Sequence, residues 1–479
     1  MTQLRGNFIG GQWVGSSSQE VFERHNPAHL DEVVSVAPES TAGDVAHAVE
    51  YVAENYREWA QTAPEIRADI LIRAADILAG QADALAEEIV REEGKTLAEA
   101  RIETRRTPQN LRFFAGEALR LTGETFPTSD GSMVLTVREP VGVVAAITPW
   151  NFPLNIPSRK LGPALAAGNG VVFKPSEVTP LIGQRLVEAL LEAGVPGGAL
   201  SLVHGHAEVG KALVSHAAVD AVTFTGSTSV GESIHSAVPA SIRTQLEMGG
   251  KNAVVVLEDA DLDKAASIIS KGAFGLSGQA CTGTSRVVVH EKVGDGLLDR
   301  LMEHAQGIVV GDGLESGVTS GPLTNEAQLE KYRTYLQIGR HDGGTLETPL
   351  SEEKRGAGYF AKPAIFTDVK PSSRLAQEEV FGPVLAFMTV SSYDEAIDVV
   401  NGTQFGLSAG IVTQDIGLAI RFARDVEVGV VKVNQSTSGL AMNAPFGGLR
   451  RSSTQTFKEQ AGASMMAFYS NDKTAYFSL

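Results

Sequence analysis

The chain has one cysteine in 479 residues, Cys281, which excludes an internal disulfide and a thiolate metal cage. No metal site is expected. No apolar stretch approaches the roughly 18 residues of a membrane-spanning helix. The opening MTQLRGNFIGGQWVG lacks a basic segment followed by a long apolar run, so no secretory signal is read there. With a single thiol and no address, the cytoplasm is the expected compartment. Basic charge is also in short supply. Forty Lys and Arg stand against 57 Asp and Glu, a net charge of −17 that withholds the basic face nucleic acid or an anionic membrane requires. Neither partner is expected, and an anionic small substrate would need a local cluster of arginine or lysine. Low-complexity tracts and short tandem repeats are absent as well.

What is present is globular. Hydrophobic residues make up 43% and charged residues 20%, and the length suits about three domains of ~150 residues. Fifty glycines imply many tight turns and close backbone approaches. Residues 41–118 carry apolar side chains at helical spacing, whereas 119–140 combine turn residues with an alternating run that predicts an exposed hairpin. From 141 onward short apolar runs alternate with helical segments. The runs are 141–147, 170–174, 199–205, 221–226 and 252–259, with helices at 155–168, 180–193 and 207–215. This alternation predicts βαβ units and a parallel, doubly wound sheet. A second α/β block follows, with strands at 285–291, 383–390, 406–413 and 428–434, and the C-terminus returns to a strand-like, aromatic-rich run.

Cys281 lies in GQACTGTSR, among small polar neighbours that do not form a packed core. Free cysteines are often buried as small hydrophobes, so an inert thiol and a nucleophile both stand as readings. Glu247, between a strand-like run and two glycines, reads as a solvated loop carboxylate or as a general base. Asn151, in TPWNFP after the 141–147 strand, reads as a turn residue or as an amide donor for an oxyanion. FKPSE offers Lys174 to a phosphate or ribose and Glu177 to ribose hydroxyls. TFTGSTSVG is a strand, a glycine turn and a helix start suited to an anion such as pyrophosphate, although its Gly-x-x-x-x-Gly spacing departs from the usual dinucleotide fingerprint.

Taken together, PWNFP, FKPSE, FTGSTSVG, LEMGGKN, GQAC and EEVFGP, in this order, resemble the NAD(P)-dependent aldehyde dehydrogenase superfamily over essentially the whole chain. The resemblance implies an α/β subunit with two doubly wound domains and a β-hairpin oligomerisation element. The cofactor domain would comprise 1–118 and 140–249, the catalytic domain 250–440, and the oligomerisation element 119–139 with 441–479. A homodimer or homotetramer is implied. Cys281 would attack the aldehyde, and Asn151 with the Cys281 N–H would hold the oxyanion. Hydride transfer to NAD or NADP would leave a thioester, which Glu247 would hydrolyse through water. Lys160 matches a lysine assigned to proton transfer. Glu247 also favours hydrolysis over acyl transfer to coenzyme A.

For the cofactor, the resemblance implies contacts from Thr148, Pro149 and Trp150, from Lys174, Ser176 and Glu177, and from Gly205 and Gly210. Phe224, Gly226, Ser227, Val230 and Gly249 would add further cofactor contacts, while Glu379 would contact the nicotinamide ribose with Phe381 beside it. A carboxylate at Glu177 favours the 2′-hydroxyl of NAD over the 2′-phosphate of NADP. Arg159 and Arg286 match arginines that bind the distal carboxylate in succinic semialdehyde dehydrogenases and their relatives, a role that suits the guanidinium fork. The expected substrate is therefore an ω-oxo acid, α-ketoglutaric semialdehyde (2,5-dioxopentanoate) first. Succinic or glutaric semialdehyde, and then aliphatic or aromatic aldehydes, are the alternatives. The segment 447–462, with Arg450, Arg451 and serines, departs from the family's lysine- and glycine-rich run.

Overall fold

Alternating short apolar strands and helices build two seven-stranded sheets in the computed structural model, which describes residues 2–4, 6–349, 358–454, 457–459 and 462–478. Within the departing segment 447–462, residues 455, 456, 460 and 461 lie outside the described residues.

The first sheet runs, in spatial order, through Arg243–Glu247, Ala221–Thr225, Val143–Ile147, Gly170–Lys174, Leu200–Leu202, Asn7–Ile9 and Gln12–Val14. The first five are parallel, and the N-terminal hairpin closes the edge antiparallel. Its central strands are buried on both faces. Val144, Ala146, Val171 and Phe173 pack with the helices Pro64–Gly80, Leu97–Ala118 and Asn155–Ala166. Val143, Ala145, Val172 and Val222 pack with Ala42–Gln61 and Ala207–Val214 on the other side. Alternation of side chains along each strand sorts them between the two layers. The strand order reverses between Val143–Ile147 and Ala221–Thr225, and the crevice beyond their carboxyl ends is where open α/β sheets bind ligands.

The second sheet is ordered Thr345–Leu346, Ala364–Thr367, Val384–Val390, Thr284–His290, Asn252–Val256, Ser408–Val412 and Val430–Val433. All its pairings are parallel except at the Thr345–Leu346 edge. The expected run 406–413 divides: Phe405–Gly406 pairs with Leu449–Arg450, and only Ser408–Val412 joins the sheet. Met133–Pro140 pairs antiparallel with Thr125–Phe126 and with the C-terminal Ser470–Phe477, a small sheet that projects Met133, Phe126 and Tyr476 outward. No helix among the described residues is long and apolar enough to cross a membrane.

Two capping boxes fix helix starts that bear on the site. Thr41 with Asp44 opens Ala42–Gln61, and Thr96 with Glu99 opens Leu97–Ala118. The chain passes from the carboxyl end of Arg243–Glu247 into the amino end of Asn252–Val256 within four residues, 248–251. The carboxyl edge of one sheet thus faces the amino edge of the other, and Cys281 lies three residues before Thr284–His290 on that seam.

Candidate active site

The loop that carries the thiol is held under strain. Leu276 and Ser277 have φ of 53° and 52°, in the left-handed region that disfavours side chains, and Gly278 follows at 72°. A Cβ on Gly278 would stand 2.3 Å from the Gly382 backbone, so glycine is required there. The loop is pinned from several sides. The Leu276 N–H donates to Glu99 Oε1 at 2.7 Å, and Ser277 Oγ donates to the Gly321 carbonyl at 2.7 Å. Asn252 Nδ2 donates to the carbonyls of Cys281 and Gly283 at 2.8 and 2.9 Å. Burial pushes the half-buried Cys281 thiol up to about 12, with Glu379 adding to the effect and Arg159 opposing it. The resting side chain is therefore a neutral thiol that needs a base.

Asn151 is buried in the turn after Val143–Ile147, and its Nδ2 donates to the Gln279 carbonyl at 2.9 Å, two residues from the thiol. That contact uses one of its two amide hydrogens. Beneath it lies a buried cation that the sequence reading did not single out. Lys95 Nζ donates to the Asn151 carbonyl at 2.7 Å and to Glu103 Oε2 at 2.6 Å. Glu103 Oε1 in turn accepts the N–H groups of Leu154 and Asn155, both at 3.0 Å. Burial pulls Lys95 down, but Glu103 and Glu93 outweigh it and hold the ammonium above its ordinary range.

Glu247, at the end of Arg243–Glu247, is 2% exposed, which rules out the solvated-loop reading. One carboxylate oxygen accepts Ser453 Oγ at 3.2 Å, and the other has no partner among the described residues. Burial, and next the negative charge of Glu459, push its pKa well above the carboxylate range. Glu459 is a second residue the sequence reading passed over. Its carboxylate lies 3.3 Å from Lys160 Nζ and 3.5 Å from Arg159 Nε. Lys160 also donates to Thr223 Oγ1 at 3.0 Å, and burial lowers its pKa. Cys281 is near enough to Arg159, Glu247, Glu379 and Glu459 to feel each charge.

The two sequence-predicted arginines part company. Arg159 is buried with Nε and Nη1 lacking hydrogen-bond partners among the described residues. Arg286 is spent on the scaffold. Its Nε donates to the Lys251 carbonyl at 3.0 Å, and Nη1 and Nη2 to those of Val399 and Val400 at 2.9 and 3.1 Å. These three bonds tie the loop between the sheets to helix Tyr393–Asn401, so the expected second arm of a carboxylate clamp is not at Arg286.

The expected cofactor residues border the crevice at the strand-order reversal. Trp150 meets Phe381 edge to face at 5.4 Å between centroids, with Phe381 held at φ of 58°. Pro149 sits half-buried beside Trp150. The Thr148 N–H donates to the Lys174 carbonyl at 3.3 Å, and its buried hydroxyl has no partner among the described residues. Lys174 Nζ lies 3.2 Å from the Pro175 carbonyl and 3.6 Å from Glu177, whose carboxylate is partly exposed. Ser176 Oγ accepts the Val178 N–H at 3.2 Å. Gly205 is left-handed, and Gly210 borders the Lys174 stem. Gly226 packs against the Phe224 ring, where a Cβ would come within 2.4 Å. Helix Thr228–Ala237 then begins with no side-chain cap from Ser227, so its first N–H groups face outward, with Val230 exposed beside them. A Cβ on Gly249 would stand 2.3 Å from Glu379, which accepts the Gly250 N–H at 3.0 Å. Burial raises Glu379, while Lys331 and Lys251 pull it back, and Lys331 is a further residue absent from the sequence reading. A recess lined by Gly250, Ala280, Glu379 and Phe381 brings this group to the thiol loop.

The free donors and the glycine cradle suit a dinucleotide: uncapped helix N–H groups for a pyrophosphate, and buried carboxylate and hydroxyl groups for ribose.

Residues 13–475 match the model of the aldehyde dehydrogenase family. The alpha-ketoglutarate semialdehyde dehydrogenase of Haloferax volcanii is 42% identical over 483 residues, covering 99% of both chains. The alpha-ketoglutaric semialdehyde dehydrogenase of Bacillus subtilis is 40% identical over 476 residues, covering 98% of this chain and 97% of that one. The crystal structure of the NAD-dependent aldehyde dehydrogenase from Sinorhizobium meliloti superposes with a TM-score of 0.96 at 33% identity, over 100% of this chain and 95% of that one.

Proposed function

The chain belongs to the aldehyde dehydrogenase family, and from that premise we propose that it oxidises an ω-oxo acid, 2,5-dioxopentanoate first, to the dicarboxylate with NAD as acceptor. The observation that carries the substrate reading is Arg159, a buried guanidinium within electrostatic reach of Cys281 whose Nε and Nη1 make no hydrogen bond among the described residues. An aldehyde carbon at the sulfur and a carboxylate toward Arg159 require one substrate that bears both groups. The names of the Haloferax and Bacillus relatives agree.

In this reading the Cys281 sulfur adds to the aldehyde carbon, and its proton passes to Glu247 or water. The free amide hydrogen of Asn151 and the Cys281 N–H hold the oxyanion, preorganised by Lys95 and by Asn252. NAD, when bound, supplies the two-electron acceptor. Glu379, with Lys331 and Lys251 beside it, and Phe381 would hold its ribose end, and Lys174, Ser176 and Glu177 the adenosine end. Glu247 then takes a proton from water, hydroxide adds to the thioester carbon, and the carbon–sulfur bond breaks to release the acid. Its raised pKa makes it a stronger base near neutrality than an exposed carboxylate. Lys160 and Glu459 form the buried ion pair behind it through which that proton would leave.

The same reading divides the subunit into a cofactor domain (1–118 and 140–249), a catalytic domain (250–440) and an oligomerisation element (119–139 with 441–479). A homodimer or homotetramer is supported by the open edge of Ser470–Phe477 and its exposed Tyr476 and Phe477. The cytoplasm is the proposed compartment. The test is a panel of aldehydes with NAD and NADP, read as NADH or NADPH formation. Highest kcat/KM for 2,5-dioxopentanoate with NAD supports the reading. A ranking led by neutral aldehydes, or by NADP, rejects the corresponding part.

A further inference from the structure

With Arg286 committed to the scaffold, the distal carboxylate of an ω-oxo acid lacks its expected second partner. A different arginine stands in the right place. Helix Leu97–Ala118 packs along helix Asn155–Ala166, and two residues of the first mark the contacting face. Glu103 accepts the N–H groups of Leu154 and Asn155, and Asn110 Nδ2 donates to Ser158 Oγ at 3.0 Å. Arg106 lies between them at helical spacing, three residues after Glu103 and four before Asn110, on the same face. It therefore points toward the stretch that ends in Arg159.

Arg106 is half-buried, and its described hydrogen bond runs from Nη2 to the Leu440 carbonyl at 3.0 Å. Leu440 belongs to the segment that covers the thiol loop. Three residues earlier, Thr437 Oγ1 donates to the Thr282 carbonyl at 2.7 Å, next to Cys281. Arg106 thus lies beside both Arg159 and the segment that is bonded to the thiol loop. Burial lowers the Arg106 pKa, and the Arg159 charge lowers it further, as two guanidinia would without a carboxylate between them. No carboxylate pairs with Arg106 among the described residues. Arg159 shares its only described ion-pair partner, Glu459, with Lys160.

We propose that Arg106 is a specificity-determining residue that, together with Arg159, takes the distal carboxylate of the substrate, with the Leu440 carbonyl orienting its guanidinium. The proposal rests on the ω-oxo acid reading. Two guanidinium forks converging from adjacent helices would bind a carboxylate through both oxygens, and the substrate would remove the repulsion between them.

The test compares kcat/KM for 2,5-dioxopentanoate with that for pentanal, a neutral aldehyde of equal carbon number, in wild type, Arg106→Gln and Arg106→Lys. NAD binding serves as the check on folding. In wild type the ratio should favour the oxo acid strongly; no preference would overturn the substrate reading itself, and Arg106 with it. Given that preference, Arg106→Gln should lower the ratio about tenfold or more, through KM for the oxo acid. Arg106→Lys, which keeps a point charge without the fork, should lower it severalfold and decides the matter if the glutamine variant does not bind NAD. A ratio equal to wild type in both variants overturns the proposal, as does an equal loss on both aldehydes.

Discussion

Lys160 and Glu459 form an ion pair at 3.3 Å across 299 residues of sequence, with both side chains almost wholly buried. The pair fastens helix Asn155–Ala166 to the C-terminal segment and sets a negative charge beside Glu247. That charge is the second cause, after burial, of the raised Glu247 pKa.

Glu459→Gln should therefore weaken the base. Removing the like charge lets the Glu247 pKa fall, so the ascending limb of the kcat–pH profile should move to lower pH. The pH-independent plateau of kcat above that limb should fall, because a less basic carboxylate draws a proton from water less readily. Steady-state kinetics from pH 5 to 9 checks both. An unmoved limb would separate Glu459 from Glu247.

Lys95→Met should damage both fold and turnover. It leaves Glu103 as an uncompensated buried carboxylate, a loss of about 3–5 kcal/mol for a broken buried pair. The melting temperature should fall by several degrees. Because Lys95 also holds the Asn151 carbonyl, kcat should fall in the protein that remains folded, while NAD affinity stays near wild type. A variant that melts lower yet turns over normally would make Lys95 purely structural.

The thiol offers a third prediction. With the Cys281 pKa pushed up to about 12, the neutral form dominates below that value, and the thiolate fraction rises about tenfold per pH unit. Alkylation by iodoacetamide without cofactor should accelerate continuously from pH 7 to 10. A plateau near pH 8 would show a thiolate already stabilised at rest. The measurement is clean because Cys281 is the only thiol in the chain.

Much of this was legible in the sequence, and what was not has physical causes. The parallel strands announced themselves because burial on both faces makes them continuous apolar runs, as in Val143–Ile147 and Asn252–Val256. Strands at 364–367 and 345–346 did not, being short and flanked by loops. Cys281, Asn151 and Glu247 were named from motifs, but only the fold brings Asn151 to the thiol loop, through the Gln279 carbonyl. Glu459 and Lys95 were missed because a buried charge is recognisable by its partner, and each partner set includes groups remote in sequence. Arg286 misled for a related reason. An arginine five residues after the cysteine reads the same whether its fork meets a substrate or three backbone carbonyls, and the carbonyls of Val399 and Val400 come from a helix more than a hundred residues away. Arg106 was hidden within a helix rich in charge.

The most direct test of the account is the fate of Cys281 in a Glu247→Gln enzyme given NAD and 2,5-dioxopentanoate. Acylation should proceed and hydrolysis should stall. About one NADH per active site should form in a burst, and intact-mass analysis should find Cys281 carrying the aldehyde's mass less two hydrogens. Sustained turnover at the wild-type rate, or a burst with no adduct on Cys281, would contradict it.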